Sequence, residues 1–552
     1  MSIALIRSVR KRPCLRRSRG NTRWISARRL GRWVLLGISV GLVGCGPRVE
    51  PSTTHKQDSY ALADPGDTRL GKAAVALAGD HSGESGFLIL EEGADALAWR
   101  TFLADAAEKS LDAQYFLWKD DAAGKILIQR LLAAADRGVR VRVLVDDSFI
   151  ESDPEYLATF SAHPQVQVRL YKPFGPKAKS LVLRWVDFVA DLKVLNHRMH
   201  NKLFVADGSV AVIGGRNIGN EYFDYPGPFV FRCRDLLALG PVVEVGAKAF
   251  DLYWNSDWAV PIEDVVQPAP TPQEAAENQA SLNRFAANRA HYPPRFRQDA
   301  ATFHEEWARL GGRLYWGRAR LLVDAVPKKN GREQPHSELD RTGLTLLRLT
   351  ANATREVQVQ SAYLILLDRG FEALRELKEK GVRVTLSTNS MSSDNHLTAF
   401  VGYAKQRTRL LKTGATLYEM RPDAAAERDL FTAAQMKEYQ TKFGLHAKTA
   451  VFDRKITFVG SYNVDPRSAE LNTEMGLLVY SEPLSKAVAE SIDRDVNADN
   501  SWQIILTEEG RLRWVTVQDG VVTAEWDREP MTTEAERAGA EALYLVPDDS
   551  QL

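Results

Sequence analysis

Two segments of this chain carry the same polar residues at the same intervals, and this repeat is the strongest constraint on its fold. The first segment reads HNKLFVADGSVAVIGGRN (200–217), and the second reads HAKTAVFDRKITFVGSYN (446–463). Offsets 0, 2, 7, 14 and 17 are occupied by His200, Lys202, Asp207, Gly214 and Asn217, and then by His446, Lys448, Asp453, Gly460 and Asn463. Intervals kept without a slip indicate the duplication of a structural unit.

The residues ahead of each motif also repeat. The first set is LDAQYFLW (111–118), KILIQRLLAAADRG (125–138) and VRVRVLVDD (139–147). The second set is VQVQSAYLIL (357–366), RGFEALRELKEKG (369–381) and VRVTLSTN (382–389). Strand, helix and strand in this order predict a parallel βαβ unit in each half. The sequence therefore predicts an α/β chain built from two related halves.

Each motif predicts a β-hairpin. Alternation in the first arm places His200 and Lys202 on one face, and the chain turns at Asp207. The return arm then brings the small residues and the carboxamide back beside the histidine; these are Gly214, Gly215 and Asn217, or Gly460, Ser461 and Asn463. Two such halves face to face would enclose two imidazoles, two ammonium groups and no obligatory carboxylate.

This inventory suits an anionic phosphate ester. The two lysines and the two asparagines can hold non-bridging oxygens, while one imidazole attacks phosphorus and the other protonates the leaving alkoxide. Asp207 and Asp453 belong to the candidate catalytic set, although their place at the turn favours a role in ordering the backbone. Metal-ligand spacings such as H-E-x-x-H are absent, so we expect no metal and no other cofactor.

The length of 552 residues predicts more than one domain. We divide the chain into a signal peptide (1–45), a flexible tether (46–85), an N-terminal half (86–262), a linker or insertion (263–320), a C-terminal half (321–500) and a C-terminal hairpin extension (501–552). No chemistry can be assigned to the extension.

The N-terminal leader indicates export. Residues 1–44 hold eleven of the 72 basic residues and no acid, and a run of about a dozen apolar residues leads to LVGC. That run is too short to span a bilayer, which needs ~20 residues. The LVGC tail resembles a bacterial lipobox, which would make Cys45 the acylated N-terminus of a membrane-anchored lipoprotein facing the periplasm. Gly46 favours the outer membrane; the alternative is an uncleaved inner-membrane anchor.

Without the leader, 61 basic residues face 71 acidic ones, which argues against non-specific nucleic-acid binding. We therefore expect no nucleic-acid partner, and no obligatory protein partner can be read from the sequence. The three cysteines form no disulfide framework, and we expect Cys233 to be a small buried residue.

The paired H-x-K-x4-D segments, each followed by G-G/S-x-N, resemble the phospholipase D superfamily over about 86–262 and 320–500. The stretches DAQYFLWKDDAAGK, RGVRVRVLVDD, NHRMHNKLFVADG, GGRNIGNEYF and LGPVV are similar to bacterial cardiolipin synthases, particularly their C-type branch. This resemblance implies two pseudo-twofold related α/β sandwich halves, with mixed sheets flanked by helices and one active site at the interface.

The same resemblance implies chemistry through a phosphohistidine, with His200 as nucleophile and His446 as acid and then base. It also implies that an acid downstream of each motif orients a histidine: Glu474 after the second motif and Asp235 after the first. The expected substrates are phosphatidylethanolamine and phosphatidylglycerol, taken from a membrane surface, with phosphatidylglycerol as acceptor.

Three alternatives stay open at this point. A hydrolytic phospholipase D that releases phosphatidic acid would share every catalytic residue. A nuclease of the same superfamily fits poorly with the acidic mature chain. A non-catalytic membrane scaffold fits poorly with two intact motifs.

Overall fold

The computed structural model describes residues 55–147, 154–173, 197–266, 268–296, 303–327, 342–428 and 430–544. The leader, its lipobox Cys45 and the first nine residues of the predicted tether lie outside the described residues. No helix in the described part of the chain is both long enough and apolar enough to cross a membrane.

The strands in these ranges are β1 Ser85–Leu90, β2 Ser110–Tyr115, β3 Arg140–Asp146, β4 Val166–Tyr171, β5 Leu203–Ala206, β6 Val210–Gly214, β7 Phe229–Arg232, β8 Asp235–Leu239, β9 Ala259–Pro261, β10 Tyr315–Val323, β11 Glu356–Gln360, β12 Arg383–Asn389, β13 Thr416–Met420, β14 Lys442–Leu445, β15 Thr449–Phe452, β16 Ile456–Gly460, β17 Met475–Tyr480, β18 Ser501–Leu506, β19 Leu512–Gln518 and β20 Val521–Trp526. The α-helices are Arg69–Ala78, Gly93–Ala106, Ala122–Asp136, Pro154–Ser161, Pro241–Trp254, Pro272–Ala287, Phe303–Gly311, Thr342–Ala351, Asp368–Glu379, Leu397–Lys412, Ala425–Arg428, Ala433–Tyr439, Pro466–Glu470, Glu482–Asp495 and Glu534–Tyr544.

The sheet repeats one strand order in both halves. In the first half the order is β9-β4-β3-β2-β5-β6-β8-β1, with β2, β3 and β4 parallel and the other pairs antiparallel. The second half has the equivalent order β18-β13-β12-β11-β15-β16-β17-β10, with β11, β12 and β13 parallel. The antiparallel pair β1–β10 joins the halves. The predicted α/β class with two related mixed-sheet halves is confirmed.

The βαβ units form as the sequence pattern predicts. Asp121 caps the helix Ala122–Asp136 by accepting a hydrogen bond from Gly124 N–H. The chain leaves this helix through Gly138 at φ +90°, and it leaves the helix Asp368–Glu379 through Gly381 at φ +72°. Only glycine adopts such left-handed backbone at little cost, so the repeated Gly-Val-Arg-Val marks two equivalent helix ends.

One hydrophobic core is shared by the two halves. It lies between the sheet and the helices Pro241–Trp254 and Glu482–Asp495, one helix from each half. Buried side chains from β5 and β6 of the first half meet side chains from β16 and β17 of the second half in this core. Separate cores on the other face belong to one half each. Burial of a common apolar core therefore holds the halves in one arrangement.

The domain boundaries differ from the prediction at both linking segments. From His55 onward the predicted tether is packed, because Ala61 N–H donates to the Asp251 carboxylate at 2.8 Å and Leu70 is fully buried. The predicted linker contains the helix Pro272–Ala287, which begins with a capping box and buries Leu282 against the first half. Polar composition hid the helix Pro272–Ala287, since it buries only a narrow apolar stripe.

At the other two boundaries the sheet extends beyond the predicted limits. β10 starts at Tyr315, ahead of the boundary we placed at residue 321. The terminal hairpin strands continue the second half's sheet, because β18 pairs with β13 and then β19 and β20 follow.

Candidate active site

Both predicted hairpins are present and have the same local geometry. β5 pairs with β6, and β15 pairs with β16. Each histidine lies just ahead of its first strand, and the lysine two residues later donates to that histidine's carbonyl. Lys202 Nζ is 2.6 Å from His200 O, and Lys448 Nζ is 2.8 Å from His446 O. The lysines thus place an ammonium group beside each histidine's backbone.

The backbone of each histidine is held by the opposite half. His200 N–H donates to the Thr473 carbonyl at 2.9 Å, and His446 N–H donates to the Arg232 carbonyl at 2.8 Å. Arg232 ends β7, which pairs in parallel with β14 of the second half. These reciprocal hydrogen bonds place both motifs at the interface between the halves.

The His200 ring has a carboxylate partner from the second half. Its Nδ1 is 2.9 Å from Glu474 Oε2 and 3.1 Å from Oε1. Ser461 Oγ donates to Glu474 Oε2 and also accepts Met475 N–H at 3.0 Å. Because an ionised carboxylate only accepts hydrogen bonds, this contact places a proton on Nδ1 and leaves the Nε2 lone pair available. Glu474 therefore orients a histidine, and that histidine belongs to the other half.

The expectation that Asp235 orients a histidine is wrong. Its carboxylate is fully buried in an ion pair with Arg100 at 2.8 Å and lies 3.3 Å from Arg216. Burial alone would raise the pKa of Asp235, but the two guanidinium groups outweigh burial and lower it. Asp235 starts β8 opposite Gly214, so it fixes the end of the first hairpin. Strand register matches Asp235 with Gly476 of the second half, so a different side chain of the first half lies next to the ring.

That different residue is Cys233, whose role the sequence analysis missed. It is buried, as expected, but its Sγ also lies 3.7 Å from Nδ1 of His446. Tyr222 and Phe231 line the same ring, with ring centroids 5.1 and 5.2 Å from it. The sequence did carry a signal for this contact. When RCRD and NTEMG are aligned at their last residues, as strand register requires, Cys233 matches Glu474. Choosing the nearest acid instead gives Asp235.

The small residues of the motifs make close packing possible. A Cβ on Gly214 would lie 2.2 Å from Asp235 Oδ1, and one on Gly460 would lie 2.5 Å from the Gly476 Cα. A Cβ on Gly215 would lie 3.3 Å from the Gly460 carbonyl and 3.5 Å from the His446 carbonyl. Gly215 lets the two hairpins approach each other across the interface, and Gly214 and Gly460 let each hairpin pack against the next strand of its own half.

The two motif asparagines are buried beside the histidines' hairpins. Asn217 donates from Nδ2 to the Tyr222 hydroxyl at 3.2 Å, and the backbone of Asn463 donates to Ser468 Oγ at 3.3 Å. The amide oxygens of Asn217 and Asn463 are buried without a hydrogen-bond partner. Buried polar atoms are normally paired, so these amides can take a partner from a bound ligand. Their contact with phosphate remains a prediction.

The motif aspartates hold backbone at the far end of each hairpin. Asp207 accepts the N–H groups of Glu108, Lys109 and Ser110 at 2.7–2.9 Å. Asp453 accepts from the equivalent turn, through Thr354 and the two residues after it. Both aspartates have positive φ. The catalytic assignment of these two residues is therefore corrected to an anchoring role, as their turn position suggested.

Burial opposes the positive charges of this site. It lowers the pKa values of Lys202 and both histidines well below their ordinary values, and it lowers the pKa of Lys448 to about 8. Burial also raises the pKa of Glu474 to about 7, although Lys202 acts in the opposite direction. A buried cluster of this kind gains stability from a bound anion, which supplies the negative charge it lacks.

The described residues contain no group of three or more His, Cys, Asp or Glu side chains arranged to hold a metal ion. The positive charge that faces the site comes from side chains of the chain itself.

Comparison with known proteins agrees with this geometry. A family model described as a cardiolipin synthase, phospholipase D-like domain matches residues 102–233 and 346–496, one segment in each half. The chain therefore belongs to the phospholipase D-like cardiolipin synthase family.

Individual relatives cover most of the chain. Cardiolipin synthase C of Escherichia coli is 35% identical over 81% of this chain and 92% of its own length. An uncharacterized protein of Helicobacter pylori is 30% identical over 84% of this chain and 89% of its own length. Among solved structures, a phosphatidylserine synthase of Haemophilus influenzae covers 77% of this chain and 90% of its own, with 13% identity and a TM-score of 0.49.

The buried carboxyl of Glu474 should make folding stability depend on pH. Its pKa is raised from 4.5 to about 7, so the folded chain binds this proton more tightly than the unfolded chain. The stabilising contribution is present below pH 4.5 and is lost as the pH rises to 7. Relative to Glu474→Gln, the wild-type free energy of unfolding should fall by about 2 kcal/mol between pH 5 and 7.5. Urea unfolding at several pH values measures this difference.

The exposed carboxylate of Glu482 gives a control in the same half, because its pKa is lowered by a hydrogen bond from Lys486. Relative to Glu482→Gln, wild type should show no such fall, because both chains keep Glu474. Parallel pH curves for wild type and Glu474→Gln would contradict the assignment.

Loss of the Asp207 anchor should reduce stability more than it reduces chemistry. Asp207→Ala removes three backbone hydrogen bonds to a buried carboxylate, at a cost of about 3 kcal/mol. The equivalent Asp453→Ala, in a more exposed turn, should cost less. Urea unfolding gives both values. Activity per folded molecule should fall far less in Asp207→Ala than in His200→Ala. An equal fall would contradict the anchoring role and indicate that Asp207 takes part in the reaction.

Proposed function

We propose that this chain is a phosphatidyltransferase that makes cardiolipin by moving a phosphatidyl group onto phosphatidylglycerol. The observation that carries the proposal is the gathering of His200, His446, Lys202 and Lys448 in one buried site at the interface of the halves. That arrangement supplies a nucleophile, a proton carrier and two cations for one phosphodiester. The similarity to cardiolipin synthase C over most of the chain supports the choice of lipid substrates.

The first step breaks the donor phosphodiester. Nε2 of His200 forms a bond to phosphorus, and the bond from phosphorus to the headgroup oxygen breaks. The bound phosphodiester anion favours the protonated form of His446, and the leaving oxygen takes that proton, which leaves His446 neutral. Glu474 accepts the Nδ1–H of His200, so its charge offsets the positive charge that develops on the ring as the N–P bond forms.

The lysines and asparagines act on the phosphorus centre itself. Lys202 and Lys448 are buried, and a bound phosphodiester would favour their charged forms, whose positive charge acts strongly on the non-bridging oxygens in a water-poor site. Asn217 and Asn463 can reach the same oxygens only by donating from their amide N–H groups, because the buried amide oxygens are acceptors. These contacts would strengthen as negative charge builds in the transition state.

The second step transfers the phosphatidyl group to the acceptor. A hydroxyl of phosphatidylglycerol attacks phosphorus, the N–P bond to His200 breaks, and neutral His446 takes the hydroxyl proton. The lowered pKa of His446 suits this step, because the ring is unprotonated near neutral pH when no anion is bound. We propose phosphatidylethanolamine as donor, with phosphatidylglycerol as a second possible donor.

We further propose that the chain is a lipoprotein held on a membrane surface and facing the periplasm. The support is the basic, acid-free leader and the LVGC tail. A membrane-held enzyme would meet both lipid substrates at the bilayer surface.

Removing either ring should abolish transfer. In vesicles of phosphatidylethanolamine and phosphatidylglycerol, wild-type protein should form cardiolipin, whereas His200→Ala and His446→Ala should form none. Lys202→Ala and Lys448→Ala should each lose at least ~10²-fold in kcat, the scale of one charge-stabilising donor. Mass spectrometry of the lipids measures the products, and activity should survive a metal chelator.

His163→Ala is the matched control, since that ring pairs with Asp136 away from the site. Phosphatidic acid as sole product would assign the hydrolytic phospholipase D reaction instead. Cardiolipin formation that persists without either ring would reject the mechanism.

Acylation at Cys45 can be tested separately. Cells given labelled palmitate should label the wild-type chain, and Cys45→Ser should lose the label and keep its leader. Cys14→Ser, in the same leader, should be labelled like wild type. Equal labelling of wild type and Cys45→Ser would contradict the lipoprotein proposal.

A further inference from the structure

Strand register shows that Cys233 and Glu474 occupy equivalent positions. Ser461 N–H donates to the Met475 carbonyl at 2.8 Å, and Gly215 N–H donates to the Arg234 carbonyl at 3.2 Å. Gly215 and Ser461 match in the repeated motifs, so Arg234 and Met475 match as well. The residue ahead of each is Cys233 in the first half and Glu474 in the second half.

The two equivalent residues meet equivalent atoms on the two histidines. Glu474 faces Nδ1 of His200 at 2.9 Å, and Cys233 Sγ faces Nδ1 of His446 at 3.7 Å. Both partners are buried, with exposed fractions of 0% and 1%. The duplicated site is therefore asymmetric at one position, with a carboxylate on one ring and a thiol on the other.

These partners have different effects on a charged ring. A carboxylate accepts Nδ1–H and stabilises the imidazolium ion through a charge-assisted hydrogen bond. A neutral thiol is a weak donor and a weak acceptor, and it adds no charge. Burial raises the pKa of the Cys233 thiol to about 12, so it stays protonated in the working range of an enzyme.

The other groups that act on His446 do not compensate its charge. They are Lys448 next to it, Lys202 and His200 from the first half, and His396 from the start of the helix Leu397–Lys412. Each of these lowers the pKa of His446. The aromatic rings of Tyr222 and Phe231 also pack against the His446 ring.

We propose that Cys233 is the positioning residue of His446, and that the thiol in place of a carboxylate reserves His446 for proton transfer while His200 bonds to phosphorus. This inference rests on the proposed function. The ring that forms the N–P bond becomes positive and stays so through the intermediate, and only His200 has a carboxylate to offset that charge. The ring that shuttles a proton releases it more readily without one. Cys233 keeps its own proton throughout, so no further reactant is needed.

Three substitutions at Cys233 distinguish two effects on His446: the contact that the thiol makes with the ring, and the absence of a negative charge at this position. Cys233→Asp should raise the pKa of His446 by about 1 unit or more, through an added opposite charge. Cys233→Ala should lower kcat about 10-fold with KM little changed, a part of the ~10²–10⁴-fold that proton transfer contributes. Cys233→Ser keeps a hydroxyl at the site and should restore most of the kcat. Ala238→Gly loosens β8, the strand that follows Cys233, away from the ring and serves as the control.

Two readouts test the proposal on the full chain. The pH profile of cardiolipin formation reports the working state of His446, and NMR of ¹⁵N-histidine-labelled protein reports its pKa without any need for turnover. An upward shift in Cys233→Asp by both readouts supports the proposal. An unchanged His446 pKa in both Cys233→Asp and Cys233→Ala overturns it.

The NMR readout also separates this proposal from the proposed function. A shifted His446 pKa in a protein that makes no cardiolipin would leave the Cys233 contact standing and reject the function. If Cys233→Ala unfolds, as thermal melting would show, the NMR titration of Cys233→Ser and Cys233→Asp decides the matter.

Discussion

The hydrogen bond between His200 and Glu474 is the contact on which the site depends, because it joins a ring from one half to a carboxylate from the other. Neither half alone could hold its histidine in this way. The backbone contacts follow the same rule, since Thr473 and Arg232 each bond the histidine of the opposite half. The two copies of the duplicated unit thereby form one site, because each copy supplies a histidine and the hydrogen bonds that hold the other copy's histidine.

The cost of this arrangement is the burial of several charges together. Two ammonium groups and one carboxyl lie in a water-poor interface, and burial shifts the pKa of each toward its neutral form. The shared core behind the helices Pro241–Trp254 and Glu482–Asp495 holds the halves together in spite of that strain. A phosphodiester would supply the missing negative charge. The same excess of positive charge would therefore favour both binding of the substrate and the negative charge that builds in the transition state.

Symmetry of the fold does not extend to the chemistry. The strand order is the same in both halves, yet one ring faces a carboxylate and the other a thiol. The proposed transfer would use this difference, because one ring would carry phosphorus while the other carries a proton. Duplication supplies two equivalent positions. A different side chain at one of them is enough to give the two histidines different roles.

The sequence by itself determined the duplication, the two hairpins, and the two histidines and two lysines at their ends. Residue intervals and hydrophobic alternation are local properties, and they can be read without knowing which segments pack together. It also indicated that the motif aspartates sit at turns. Only the tertiary structure decided which acid meets which ring, since Glu474 reaches His200 across 274 residues of chain. Strand register placed Cys233, and not Asp235, beside His446; an insertion ahead of β8 hides that register from any count along the chain.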